Sequence, residues 1–383
     1  MFEKIAVLGA GHGGCTMAAD LSMAGYQVNL YEHPDVAQNL EPIQEKGGID
    51  IIAQTPAGVD FQLPAGGKTG FAKITGKITS DMQEAIKDVE LIMLVVPGFA
   101  REKFIQELGK YLEDGQTIVV WPGYFGAVRC AKLLADMGVK KDVTICETES
   151  LIYATKKTGP AQVLTKGKKD RLLCAAFPAT RTQETVKRLQ GIFSALVPAK
   201  NVLETTIANL NPILHPPSVV CNLYRVERKF YPYFEDIGGP FIRSYDVTPG
   251  MAGVMESVDN ERIAIAEKLG LKVLSLKETL HAFYHAVGKD LYETVLNCSP
   301  YQKQAAPTSL NHRYVTEDIP FGLVPFASLA DQLQIPAPTI KGVVALACAE
   351  TRQNYWETGL TVEKLGLAGK SAQEIVNWVT NGD

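Results

Sequence analysis

Ile5-Ala6-Val7-Leu8-Gly9-Ala10-Gly11-His12-Gly13-Gly14, with Gln-Val-Asn-Leu-Tyr at residues 27–31 and Glu32 behind it, is the stretch that decides the fold. The short, partly β-branched apolar run reads as a buried strand. The glycines follow at once. Residues 15–24 then set Met17, Ala18 and Leu21 on one helical face before Gly25 stops the helix. Strand, Gly-x-Gly-x-x-Gly, helix, strand and acid in this order make a dinucleotide-binding βαβ unit. Gly9 permits the tight turn, Gly11 with Ala10 beside it brings the backbone up to a pyrophosphate, and Gly14 lets helix and strand pack closely. The helix N-terminus offers unpaired N–H groups and a positive dipole end to the phosphates. Glu32 lies 23 residues after Gly9. A carboxylate there accepts ribose hydroxyls and repels a 2′-phosphate, so NAD is expected as the cofactor over NADP. His12, among the glycines, reads as an exposed loop residue.

Strand and helix patterns alternate through the rest of the first half. Residues 49–53, 59–63 and 73–78 read as short strands with Gly/Pro turns between them. Ser80 and Gln83 look like a reciprocal helix cap. The unbroken apolar run at 91–96 reads as a central parallel strand. Val96 and Pro97 fall at its carboxyl end, where a doubly wound sheet holds its cofactor. An amphipathic helix at 101–112, strands at 117–120, 143–146 and 172–177, and a helix at 183–196 complete the pattern. Tyr124 and residues 146–150 lie beyond expected strand ends, as pocket lining or as ordinary loop.

Composition narrows the function without naming it. Lys and Arg total 38 against 42 Asp and Glu, a formal charge of −4. Beyond short runs such as 166–169 there is no basic stripe, so no nucleic-acid partner is expected. The longest apolar run, 91–96, is far below the roughly 20 residues a membrane span needs. Glycines interrupt the first apolar run, so no signal peptide is read. Seven scattered cysteines, an odd number, fit free thiols in a reducing cytoplasm.

After Asn201 the texture turns helical, at 253–269, 276–286, 290–296, 326–333 and 339–349. The expected fold class is therefore an α/β N-terminal Rossmann-type doubly wound sheet plus a mainly α-helical C-terminal domain. The boundary falls near 195–205, giving domains 1–200 and 201–383, with a cleft expected between them. Residues 209–217 and 311–322 mix polar groups with Pro or Gly and read as irregular backbone able to hold functional groups. The aromatic, glycine-rich stretch 231–245 reads as a lid or as a packed inter-helix loop. His281 and His285, at i and i+4, could ligate a metal, but no acidic third ligand stands nearby, so a core or surface pair is expected and no metal.

Hydride transfer at a carbonyl or imine carbon needs an acid/base beside it, and histidine suits neutral pH. A carboxylate on the other ring nitrogen fixes its tautomer, and an arginine fork clamps a substrate carboxylate. His215, Asp318 and Arg313 supply those three groups. Spacing does not pair residues 215 and 318, and His215 stands open between a catalyst and a satisfied structural histidine.

The second half resembles the octopine/nopaline (opine) dehydrogenase family. The resemblance rests on the Asn-rich run into His215 and its two prolines, on Glu256-Ser257-Val258-Asp259-Asn260-Glu261 with Arg262, and on residues 313–325 around Arg313-Tyr314 and Glu317-Asp318-Ile319-Pro320-Phe321-Gly322. It implies NAD(P)H-dependent reductive condensation of an amino acid's amine (or another amine) with a 2-oxo acid such as pyruvate, and the reverse oxidation. It also implies His215 as acid/base with Asp318 as its partner, Arg313 at the oxo-acid carboxylate or the cofactor phosphates, and Asn211 facing the same cleft. Some members carry a phenol at the position of Asn211, so the amino-acid pocket here is expected to differ. Two alternatives stand beside this reading: a 2-oxo acid or ketopantoate-type reductase on the same scaffold, and a non-catalytic dinucleotide-binding sensor. The oligomeric state is left open, with a homodimer as one expectation.

Overall fold

A computed structural model describes residues 2–227, 247–301 and 307–382; the stretch 231–245 lies outside the described residues. The chain forms two compact units, Met1–Thr206 joined by Asn377–Asp383, and Ile207–Val376.

The strands of the first unit are β1 (Lys4–Leu8), β2 (Gln27–Tyr31), β3 (Gly48–Ala53), β4 (Gly70–Lys73), β5 (Ile78–Thr79), β6 (Leu91–Leu94), β7 (Thr117–Val120), β8 (Thr144–Thr148), β9 (Tyr153–Gly159), β10 (Gln162–Lys168), β11 (Leu172–Phe177) and β12 (Leu196–Pro198). Its helices are α1 (His12–Met23), α2 (Glu41–Lys46), α3 (Met82–Ile86), α4 (Gly98–Leu108), α5 (Gly126–Asp136) and α6 (Thr182–Gln190), with α7 (Val202–Ala208) at the boundary. The main sheet runs β12-β11-β8-β7-β6-β1-β2-β5. Neighbours are parallel except β11 on β8. From β5 to β8 this is the doubly wound dinucleotide-binding order. Strands β6 and β7 are wholly buried, as both-faced cover by helices requires.

Several local expectations are corrected. The run 91–96 outlasts its strand: β6 stops at Leu94, because Pro97 has no N–H to extend the ladder. The cap of α3 is Asp81, whose carboxylate accepts from the Glu84 N–H at 3.0 Å, not Ser80 with Gln83. Residues 59–63 make only an isolated bridge between Gln54 and Asp60. Residues 73–78 divide because β4 pairs with β3 while β5 crosses to β2. The crossing needs Gly76, where a Cβ would stand 2.3 Å from the Val28 carbonyl oxygen.

Strands β9 and β10, whose sequence carries no clear strand pattern, join β3 and β4 in a second sheet of order β4-β3-β10-β9. The β9–β10 hairpin pairs in parallel with β3 and lies on α1. The buried Asp20 of α1 fixes this cover. It accepts from the N–H groups of Ala65 (2.8 Å) and Gly67 (2.7 Å) and from the Tyr153 hydroxyl (2.8 Å).

The second unit is built on α8 (Asn211–Val220), α9 (Leu223–Glu227), α10 (Pro249–Lys268), α11 (Leu276–Tyr284), α12 (Leu291–Leu296), α13 (Arg313–Thr316), α14 (Val324–Gln332), α15 (Pro338–Thr351) and α16 (Tyr355–Thr358). Helix α17 (Ala372–Asn381) ends with Trp378 on Phe177 in the first unit, ring centroids 4.8 Å apart. No described helix is long and apolar enough to cross a membrane. The residues 256–262 form part of the scaffold. The fully buried Arg262 donates to Asp259, to the Ile207 carbonyl (2.7 Å) and to the Leu274 carbonyl (2.7 Å), while Glu261 accepts from the N–H groups of Thr339 and Ile340 at the start of α15. A buried cation so surrounded satisfies its donors and its charge together.

Candidate functional site

The glycine loop has the shape a dinucleotide needs. Gly9 sits at φ +106°, and a Cβ there would come within 2.6 Å of the Val95 carbonyl and of Val96 Cγ1. The segment after β6 therefore presses on the loop, which puts Val96 beside Gly9, with Pro97 exposed as the residue before α4. A Cβ on Gly14 would fall 1.7 Å from the Gly9 carbonyl oxygen, so only glycine allows that close packing of helix on strand. Gly11 differs: nothing lies within 4 Å of its Cβ direction, and it caps α1 without a side-chain hydrogen bond. Open space before a helix N-terminus with bare donors fits a pyrophosphate. Glu32 stands at the end of β2, its carboxylate accepting from the N–H groups of Ala10 (3.0 Å) and His33 (3.0 Å). Its Oε2 also accepts from Asn39 Nδ2 at 3.4 Å, while Oε1, with His33 as its donor, has a second lone pair that can take a ribose hydroxyl. His12 is exposed, and its Nδ1 accepts from the Lys157 N–H at 2.7 Å, a contact that no local pattern signals.

The second unit brings a histidine and a carboxylate into contact. His215 Nδ1 and Asp318 Oδ2 are 2.6 Å apart, and both side chains are buried. His215 rides on α8; Asp318 precedes the wide turn Ile319–Leu323, and its own N–H donates to the Arg313 carbonyl at 3.2 Å. The expectation of irregular backbone at 209–217 is corrected: α8 begins at Asn211 and contains Pro216 and Pro217. Those prolines withhold N–H donors from the carbonyls of Pro212 and Ile213. Burial of nearly every side chain of α8 keeps the helix despite that loss. Asn211 comes one turn before His215 on the same face, and its backbone N–H donates to Asn209 Oδ1 at 3.0 Å.

Residues 312–318 surround the imidazole. Tyr314 stacks on His215 with centroids 3.6 Å apart and planes 13° apart. The His312 ring meets Tyr314 edge-on at 4.5 Å, and the exposed Arg313 guanidinium lies 5.8 Å over the Tyr314 ring. Burial pushes the His215 pKa down, Asp318 pulls it back up, and the positive charge of Arg313 adds to the lowering. His312 is pushed down to about 4 by burial and by the charges of Arg313 and His215. His215 is thus a weakly basic imidazole whose charged form Asp318 supports. Tyr314 and His312 fall in the stretch 311–322 that the sequence marks out, but their ring contacts carry no sequence signal, because α13 is a single turn and shows no periodic pattern.

Other expected positions fall elsewhere. Tyr124 lies beyond the end of β7, as expected, and is buried, whereas Cys146, Glu147 and Thr148 lie inside β8 instead of beyond its end. Glu147 accepts from the Ala127 N–H and from the hydroxyls of Thr205 and Thr206, so its carboxyl is a core fastening. His281 lies on α11 and His285 closes it in a left-handed conformation, their rings edge-on at 6.3 Å. Among the described residues no group of three His, Cys, Asp or Glu could hold a metal ion.

Residues 198–351 match the family model for the NAD/NADP octopine/nopaline dehydrogenase alpha-helical domain. An opine dehydrogenase from Arthrobacter sp. (strain 1C) is 33% identical over 375 residues, covering 97% of this chain and 98% of that protein. The protein ocs of Agrobacterium vitis is 25% identical over 382 residues, with 97% and 98% covered. Among solved structures, an octopine dehydrogenase in complex with NADH and agmatine aligns with a TM-score of 0.76 at 19% identity, over 99% of this chain and 98% of that one.

Proposed function

The chain belongs to the octopine/nopaline (opine) dehydrogenase family, and from that membership we propose how its own residues run the family's reaction. It is an NAD(P)H-dependent oxidoreductase of CH–NH bonds that condenses the amine of an amino acid with a 2-oxo acid such as pyruvate. Amine, oxo acid, NADH and a proton give a secondary-amine dicarboxylate, NAD⁺ and water. The buried contact between His215 Nδ1 and Asp318 Oδ2 carries the assignment of roles.

Asp318 holds the Nδ1 proton, and Nε2 is the ring nitrogen assigned to the substrate. In the reductive direction the imidazolium Nε2–H protonates the oxygen that leaves as water when the amine and oxo acid join. In the oxidative direction neutral Nε2 takes the proton from the water that adds to the imine carbon. Arg313 offers its guanidinium fork to the oxo-acid carboxylate, and Asn211, on the His215 face of α8, contacts the substrate. The nicotinamide, when bound, supplies the hydride to the imine carbon. Gly9, Ala10, Gly11 and Gly14 cradle the pyrophosphate, Val96 and Pro97 border it, and Glu32 takes the adenosine ribose hydroxyls. Glu32 favours NAD over NADP, because its carboxylate would face the extra phosphate.

The decisive experiment is NADH oxidation with pyruvate plus each amino acid or simple amine, with product masses. Turnover that requires no amine would refute the condensation. Loss of turnover in His215→Ala with intact NADH binding is the expected result for the catalytic assignment. Replacing Glu32 by Ser should raise NADPH affinity relative to NADH; an unchanged ratio would refute the role of Glu32.

A further inference from the structure

The β9–β10 hairpin carries a positive charge to the glycine loop. Lys157 Nζ lies 3.4 Å from the Ala10 carbonyl, while its backbone N–H is held by His12 Nδ1 at 2.7 Å. One residue pair away, Thr155 Oγ1 and Thr16 Oγ1 meet at 2.7 Å, which seats the hairpin on the first turns of α1. The position of Lys157 is therefore set by backbone and threonine contacts, independent of its own side chain. Cys15 shares the same neighbourhood: its thiol is pushed up to about 11 by burial, against the charge of Lys157 and with that of Glu32.

This is the wrong place for an unaccompanied cation. A helix N-terminus carries the positive end of the dipole and disfavours a nearby ammonium. Lys157 is half-buried, and among the described residues no carboxylate pairs with it. Its carbonyl contact at 3.4 Å is long for a donor with three hydrogens. The ammonium thus stands beside Ala10, next to Gly11 at the helix N-terminus, where a side chain would find open space. An anion in that space would answer both. Ala10 stands between the two charged side chains: its N–H donates to Glu32 and its carbonyl faces Lys157.

We propose that Lys157, delivered by the inserted hairpin, is a phosphate-binding residue of the dinucleotide site and holds the pyrophosphate opposite the helix N-terminus. This rests on the dinucleotide-dependent reading above. Ala10 then divides the cofactor, with ribose hydroxyls on the Glu32 side and phosphate on the Lys157 side.

The test is calorimetric titration of NADH, ADP, adenosine and NADPH into the intact protein and its Lys157→Met and Lys157→Arg variants. Methionine keeps the stem and the backbone donor to His12. Loss of one charge-assisted contact predicts roughly ten- to hundred-fold weaker binding of NADH and ADP. Adenosine affinity should be unchanged and arginine should restore most of the loss. Unchanged ADP affinity in Lys157→Met overturns the proposal. So does an equal loss for adenosine, which has no phosphate to feel the charge. Weakening confined to NADPH overturns it too, by giving the ammonium to a 2′-phosphate. Failure of the unaltered protein to bind NADH or ADP would instead sink the dinucleotide reading itself, so the two failures are told apart.

Discussion

Replacing Asp318 by Asn tests the acid/base pair while leaving its shape in place. The carboxylate oxygen stands 2.6 Å from His215 Nδ1, with both groups buried. It fixes the tautomer, and it opposes the two influences that lower the imidazole pKa, burial and Arg313. A hydrogen bond to a charged group contributes about 1.5–3 kcal/mol. About 1.4 kcal/mol corresponds to one pKa unit, so Asp318→Asn should lower the His215 pKa by roughly one to two units. The reductive direction uses the imidazolium, whose population falls when the pKa falls. The alkaline limb of reductive kcat should therefore move to lower pH by the same amount. The asparagine amide can also turn its NH₂ toward Nδ1 and leave Nε2 protonated in the neutral ring, the wrong form for the oxidative base. General acid/base loss of this kind lowers kcat roughly 10²- to 10⁴-fold. The assay is kcat for NADH oxidation with amine and oxo acid across the pH range of histidine titration, beside a titration of NADH binding, which should not change. A limb that stays in place, with kcat within about twofold of the unaltered protein, would refute the pairing as a catalytic device.

Replacing Arg313 by Gln should act with opposite sign on the same group. Removing its charge raises the His215 pKa and moves the limb to higher pH, while KM for the oxo acid increases; a downward shift would contradict the electrostatics. Two glycine variants should part company. Gly14→Ala forces a Cβ to 1.7 Å from the Gly9 carbonyl and should cost folding stability, whereas Gly11→Ala meets no protein atom and should fold normally but bind NADH more weakly; equal melting temperatures for both would be inconsistent with this. Glu149 is buried, and its carboxyl is pushed up to about 7, chiefly by burial. The folded state thus holds this proton more tightly than the unfolded chain, and stability falls as pH rises from the ordinary glutamate value through about 7. Glu149→Gln keeps an acceptor for the Leu173 N–H and cannot ionise. It should gain on the order of 3 kcal/mol above neutral pH and nothing in acid, read by urea denaturation at both; a pH-independent difference would exclude the mechanism.

The parts of this fold that sequence displays are those whose signals are local. From β1 to Glu32 each residue's task is set by near neighbours, and Gly14 shows why, since its closeness to Gly9 admits no substitute. The long helices of the second unit follow from their periodicity. Tertiary forces hid the rest. Pro216 and Pro217 argue against a helix on local grounds, yet burial holds α8 together around them. The β9–β10 strands are lysine-rich and half-exposed, with register shifts near Gly167, so their alternation is blurred. In β8 the strand runs through Glu147, an acid that reads as solvent-facing until its three donors are seen. His215 and Asp318 are 103 residues apart, and no spacing rule joins them; only the likeness to a family implied the pair.

The small sheet over α1 also bears on synthesis of the chain. Its hairpin closes within a few residues of Gly159, but β3 is joined to β10 across a gap of 112 positions, Ile52 to Leu164. During translation β3 therefore leaves the ribosome long before its parallel partner exists, with one edge of Gly48–Ala53 unpaired. Closing so long a loop is slow. The nascent chain must shield that edge until residue 165 has emerged, and neither insert can be moved alone into another dinucleotide-binding protein without exposing it.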